Sequence, residues 1–179
     1  MSRKSAIAIG SLALAAGAIA LSAPAGASTT QVRQVAAAKK VAYWTFKNKK
    51  TLTCLTAGKG KTAFVAKCNG SSYQKWYWDG SGSIGKYKLL RNKATKRCLE
   101  TAESEVAKYN KVSTQTCGAG GWNEGDAWRL TSHGTRLEAS AFGGGYGPYL
   151  QASPKKGALR AGDIFPEGRP YANWKSTAK

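Results

Sequence analysis

One frame occurs three times in this chain, and a repeat of that length leaves few folds open. Its openings are FKNKKTLTCL at 46–55, LRNKATKRCL at 90–99 and AFGGGYGPYL at 141–150. Each is followed by a tryptophan in a closing triplet: Gln74-Lys75-Trp76, Asp126-Ala127-Trp128 and Ala172-Asn173-Trp174. The period of about 44 to 52 residues marks structural units that bury their apolar faces only against one another. Three such units must close around a shared core.

Short runs bounded by Gly, Asn, Ser or Pro lean toward strand: Thr62–Lys67, Lys86–Arg91, Asp126–Thr131, Thr135–Ala139 and Gly157–Ala161. No stretch after residue 27 carries a long apolar period of 3.6 residues, so helices are not expected there. With 21 glycines and turn signals at short spacing, the reading is all-β, and the three tryptophans are expected in the core. Gly80-Ser-Gly-Ser-Ile-Gly85-Lys86 fits two phosphate-loop patterns. It lacks the following Ser or Thr and the helix that phosphate binding needs, so it reads as a flexible turn between the first two units.

The Cys54-Leu55 opening, Cys68, the Gln74-x-Trp76 close and the threefold recurrence resemble the ricin B-type lectins over about residues 42–179. The resemblance implies a β-trefoil of three units of about 45 residues with pseudo-threefold symmetry, at about 42–86, 87–132 and 133–179. The four cysteines permit three connectivities. The repeat favours Cys54–Cys68 and Cys98–Cys117, one bridge inside each of the first two units. No metal site is expected, because the spacings are not those of zinc ligands and the lone His133 has no cysteine beside it.

In the sugar-binding units of that family, an aspartate two residues after the first cysteine grips hydroxyls. An aromatic two before the second cysteine stacks on the ring, and an asparagine precedes the close. Here the first position holds Thr56, Glu100 and Gln151, the second Ala66, Gln115 and Ala161, and the third Tyr73, Gly125 and Tyr171. Only Glu100 keeps a carboxylate, so the resemblance implies a lectin-like module with a non-standard site. Its candidates are Glu100 with Trp122 and Asn123, and Tyr146 with Tyr149 on the Gly-rich aromatic loop. Packing under the second bridge is the competing role for Trp122.

Residues 1–27 place Arg3 and Lys4 before an apolar run and a small-residue close, which is the pattern of a secretory signal peptide; no membrane span is expected after its removal. Residues 28–41 read as a flexible basic arm ahead of the trefoil at 42–179. The whole chain carries +19, and loss of Arg3 and Lys4 leaves +17. A secreted protein so charged is expected to meet an extracellular glycan or anionic wall polymer, or another secreted protein. Nucleic acid is not the expected partner. No cofactor and no catalytic residue is expected, since His133 has no acid to hold it and Glu100, Glu103, Glu105, Glu124 and Asp126 form no pair of recognisable spacing. The alternative reading is a secreted protein-binding adaptor or inhibitor that uses trefoil loops and the basic arm.

Overall fold

A computed structural model describes residues 40–102, 109–118, 124–131, 134–140, 147–153, 155, 157–163 and 169–179. The expected signal peptide and all but the end of the basic arm lie outside the described residues. Lys39–Lys179 form one compact unit.

Twelve strands make up the described fold, four to a unit: β1 Trp44–Asn48, β2 Cys54–Ala57, β3 Ala63–Ala66 and β4 Trp76–Ile84 in the first. The second has β5 Tyr87–Asn92, β6 Cys98–Thr101, β7 Tyr109–Gln115 and β8 Ala127–Leu130, and the third β9 Leu137–Ala139, β10 Tyr149–Ala152, β11 Leu159–Gly162 and β12 Trp174–Ala178. Antiparallel pairing joins β1 to β4 and β12, β5 to β4 and β8, and β8 to β9. The second and third strands of every unit form a hairpin with each other. Six closing strands and three hairpins in threefold order are a β-trefoil.

The repeat is explained by one contact made three times. Trp76, Trp128 and Trp174 are fully buried, and so are Leu55, Leu99 and Leu150. Each indole Nε1 donates to the carbonyl of its own unit's leucine, at 3.1, 2.9 and 2.9 Å. A large ring can be buried there because its one polar atom is satisfied. Asn48 and Asn92, six residues before each cysteine, fold the openings the same way. The Asn48 Oδ1 accepts from the Lys50 and Thr51 amides, and the Asn92 Oδ1 from those of Ala94 and Thr95.

Disulfides link Cys54 to Cys68 and Cys98 to Cys117, with Cα atoms 5.0 Å apart in both. No helix among the described residues is long and apolar enough to cross a membrane. Two expectations need correction. Gly80–Ile84 is not a flexible turn but the second half of β4, with the pairing register shifted between Asp79 and Ile84. The reversal is confined to Gly85-Lys86, where Gly85 takes φ 56°; glycine enters that left-handed region at no steric cost. In the third unit, Tyr149 stands opposite Gly162, as Cys54 stands opposite Ala66 and Cys98 opposite Gln115. The residue equivalent to Ala66 and Gln115 is therefore Gly162, not Ala161; the sequence had no second cysteine there to fix the register.

Candidate functional site

At the three positions that hold the gripping aspartate in the family, the first and third units solve one structural task from opposite strands. In the first, Gln74 Nε2 donates to Thr56 Oγ1 at 3.1 Å and to the Lys67 carbonyl at 2.9 Å, and its Oε1 accepts from the Asn69 amide at 2.8 Å. Thr56 is thereby buried and committed to the interior. In the third unit the residue equivalent to Gln74 is Ala172, and the amide comes from the other strand. Gln151 Nε2 donates to the carbonyls of Gly162 and Asp163 at 3.2 and 3.1 Å. Asp163 matches Lys67 in the hairpin, so the same carbonyl is satisfied from the opposite side. Gln151 is fully buried.

The second unit carries acids at both places. Glu100 on β6 is half-buried and accepts from Ser113 Oγ on β7, the residue opposite it. Asp126 ends the short 3-10 turn Glu124–Asp126 and is 5% exposed. That turn lies directly on β6: a Cβ on Gly125 would stand 2.1 Å from the Thr101 carbonyl oxygen, so only glycine fits. Burial, and then the negative charge of Glu100, push the Asp126 carboxyl up to about 6, against an opposing hydrogen bond from Gln115. Its Oδ2 is buried without a partner among the described residues.

A raised carboxyl pKa means that the fold favours the protonated acid. The associated stability is full below the ordinary value of 3.8 and is lost as pH rises through about 6. The free energy that corresponds to this rise is about 3 kcal/mol. Asp126→Asn is therefore expected to stabilise the protein by up to about 3 kcal/mol at pH 7 and to flatten its urea midpoint between about pH 4 and pH 6. An unchanged pH profile would show that Asp126 is relieved of its burial cost by other means.

Of the five candidate sugar-site residues, Glu100 and Tyr149 are described, and they do not come together. Trp122, Asn123 and Tyr146 lie outside the described residues, as do Glu103, Glu105 and His133. Tyr149 lines a separate cavity of about 550 Å3 with Trp78, Lys86, Lys88, Trp128, Arg129, Leu130, Thr131 and Glu138. The sheet register builds its wall, because Arg129 stands opposite Glu138 and Glu138 opposite Tyr149 across β8, β9 and β10. Glu138, 1% exposed, accepts from Arg129 and from the Tyr87 hydroxyl, both at 2.8 Å. Tyr149 also hydrogen-bonds it. Burial and then the bond to Glu138 hold the Tyr87 hydroxyl at about 12; burial and then the Glu138 charge raise Tyr149 as well. Both phenols keep their protons and donate. Tyr149 apart, nothing in the sequence marked this group, whose members come from five strands and a turn; Glu138 sits in Arg-Leu-Glu-Ala with no motif around it. Among the described residues no group of His, Cys, Asp and Glu is arranged to hold a metal ion.

A family model described as the ricin-type beta-trefoil lectin domain matches residues 42–143, more than half of the chain. A comparison with curated proteins finds no significant match. Among solved structures, the designed threefold-symmetric protein ThreeFoil aligns with a TM-score of 0.59 at 15% identity, covering 75% of this chain and 97% of that one. A ricin B-like lectin of Macrolepiota procera, solved with lactose, aligns with a TM-score of 0.55 at 14% identity, covering 75% and 93%. A GlcNAcα1-4Gal-releasing endo-β-galactosidase from Clostridium perfringens aligns at 0.58 and 15%, covering 76% of this chain but only 32% of the enzyme. At these identities the structural likeness speaks to the fold.

Proposed function

We propose, from the premise that this chain belongs to the ricin-type β-trefoil lectin family, that it is a secreted, non-catalytic carbohydrate-binding module whose family-position sugar site survives in the second unit alone. One observation carries the reading. Thr56 and the Gln151 amide nitrogen are buried and bonded to partners inside their own units, whereas Glu100 is only half-buried and carries a carboxylate whose one hydrogen bond is from Ser113 among the described residues. A carboxylate accepts hydrogen bonds from sugar hydroxyls strongly, because a charged acceptor shortens and strengthens each bond. Trp122 and Asn123 are proposed as its ring-stacking and amide partners, with Tyr146 as a further aromatic contact from the Gly-rich loop. Residues 1–27 are proposed as the export signal and 28–41 as a basic arm that favours anionic wall material. Two bridges and no free cysteine among the described residues suit an oxidising compartment.

Calorimetric titration with galactose, lactose and N-acetylglucosamine tests the site. Glu100→Gln keeps the shape and removes the charge, and is expected to weaken binding about tenfold or more without lowering the thermal midpoint, since losing that charge also relieves the buried Asp126 carboxyl. Trp122→Ala should do the same if its ring stacks on sugar. A thermal midpoint that falls with Trp122→Ala, together with full binding by Glu100→Gln, would reject the site.

A further inference from the structure

We infer that the cavity between the β4–β5 and β8–β9 ribbons is a second ligand site, and that its ligand is a saccharide carrying a negative charge. Its charge balance is the first reason. Arg129 is engaged with Glu138 at 2.8 Å, which neutralises the one carboxylate in the wall. Lys86 and Lys88 are exposed at the rim and form no ion pair among the described residues. The lining therefore carries an excess of two positive charges, held close together by the tight Gly85-Lys86 reversal and by the strand that follows it.

Shape and surface chemistry are the second reason. A cavity of about 550 Å3 lies within the range that admits a small ligand. Half-buried Trp78 and Tyr149 contribute ring surface, with Trp128 beneath them. Trp78 packs edge-on to Phe46, with ring centroids 6.2 Å apart, so its plane is set before any ligand arrives. Tyr149 stands directly opposite Glu138 across β9 and β10. Rigid rings beside unpaired ammonium groups suit a pyranose with an acidic substituent: the ring takes the apolar face, and the ammonium groups take the charge without losing an existing partner. The formal charge of +19 adds a long-range pull on such ligands.

The class of ligand rests on the carbohydrate-binding reading; the place and the charge preference do not. Fluorescence titration of the full chain with tetragalacturonate, its methyl-esterified neutral form and a sugar phosphate separates them. Tetragalacturonate or the sugar phosphate is expected to bind about tenfold or more tightly than the neutral ester at low salt, with the advantage shrinking as salt rises. Binding by the uronate assigns a carboxylate, and binding by the sugar phosphate alone assigns a phosphoryl group. The double variant Lys86→Gln, Lys88→Gln should lose that preference, and Glu100→Gln should keep it. Both lysines are exposed, so the double variant is expected to fold normally. Binding of the neutral ester as tight as that of both the uronate and the sugar phosphate, or an anion preference that survives the double variant, would overturn the inference. Loss of the preference in Glu100→Gln alone would overturn it too, while leaving the sugar site of the second unit standing.

Discussion

Trp174→Ala is expected to lower the thermal midpoint by about 10–20 °C, the largest effect among the three closing tryptophans. The ring is fully buried, and truncating such a side chain costs about 3–5 kcal/mol. The Leu150 carbonyl, which accepts the indole N–H at 2.9 Å, is then left without that partner, adding about 1 kcal/mol. Two further features make this tryptophan more consequential than Trp76 or Trp128. It opens β12, which pairs with β1 from Asn48↔Trp174 to Trp44↔Ala178 and so joins the end of the chain to its first strand. Its unit also has no disulfide, since Tyr149 stands where Cys54 and Cys98 stand in the others. Against a total stability of about 5–15 kcal/mol, such a loss leaves little margin. Thermal unfolding followed by circular dichroism measures it, and a fall of only a few degrees would mean that the three tryptophans are not the pillars of the fold.

Reduction of both disulfides is expected to have a comparable effect. The bridges close loops with sequence separations of 14 and 19, and each loop constrains the unfolded chain by about 3 kcal/mol in the chain-entropy account. Losing both removes about 6 kcal/mol, much of what a domain of this size has. The paired variant Cys98→Ser, Cys117→Ser should lose about 2–5 kcal/mol in urea unfolding. Non-reducing peptide mapping should recover only Cys54–Cys68 and Cys98–Cys117; a bridge between units would break the correspondence of hairpins on which the threefold frame rests.

The frame was legible because its signals are local and repeated. A leucine at the end of each opening, a tryptophan at each close and, in the first two units, a cysteine just before the leucine are enough to place three equivalent units, and the structure adds the Nε1-to-carbonyl bond that makes them equivalent. The third unit was legible only to within one residue, since without cysteines nothing in the sequence separates Ala161 from Gly162. The sites were much less legible. Glu100 stood out as the surviving acid, but the reason Gln151 faces inward is a carbonyl it shares in kind with Gln74, a substitution between strands that no linear pattern reveals. The cavity at Tyr149 was legible in a single residue. Its charge pattern arises where β4, β5, β8, β9 and β10 meet, and only the fold brings Lys86, Arg129 and Glu138 together.

Carbohydrate recognition by this trefoil is measured by a glycan array probed with the purified protein over a range of concentrations, with free sugar as competitor. Saturable binding to a limited set of glycans is expected, abolished by the competing sugar and reduced in the Glu100→Gln variant. Signal on no glycan, with the same preparation capturing a secreted protein from culture supernatant, would contradict it and show a protein-binding trefoil instead.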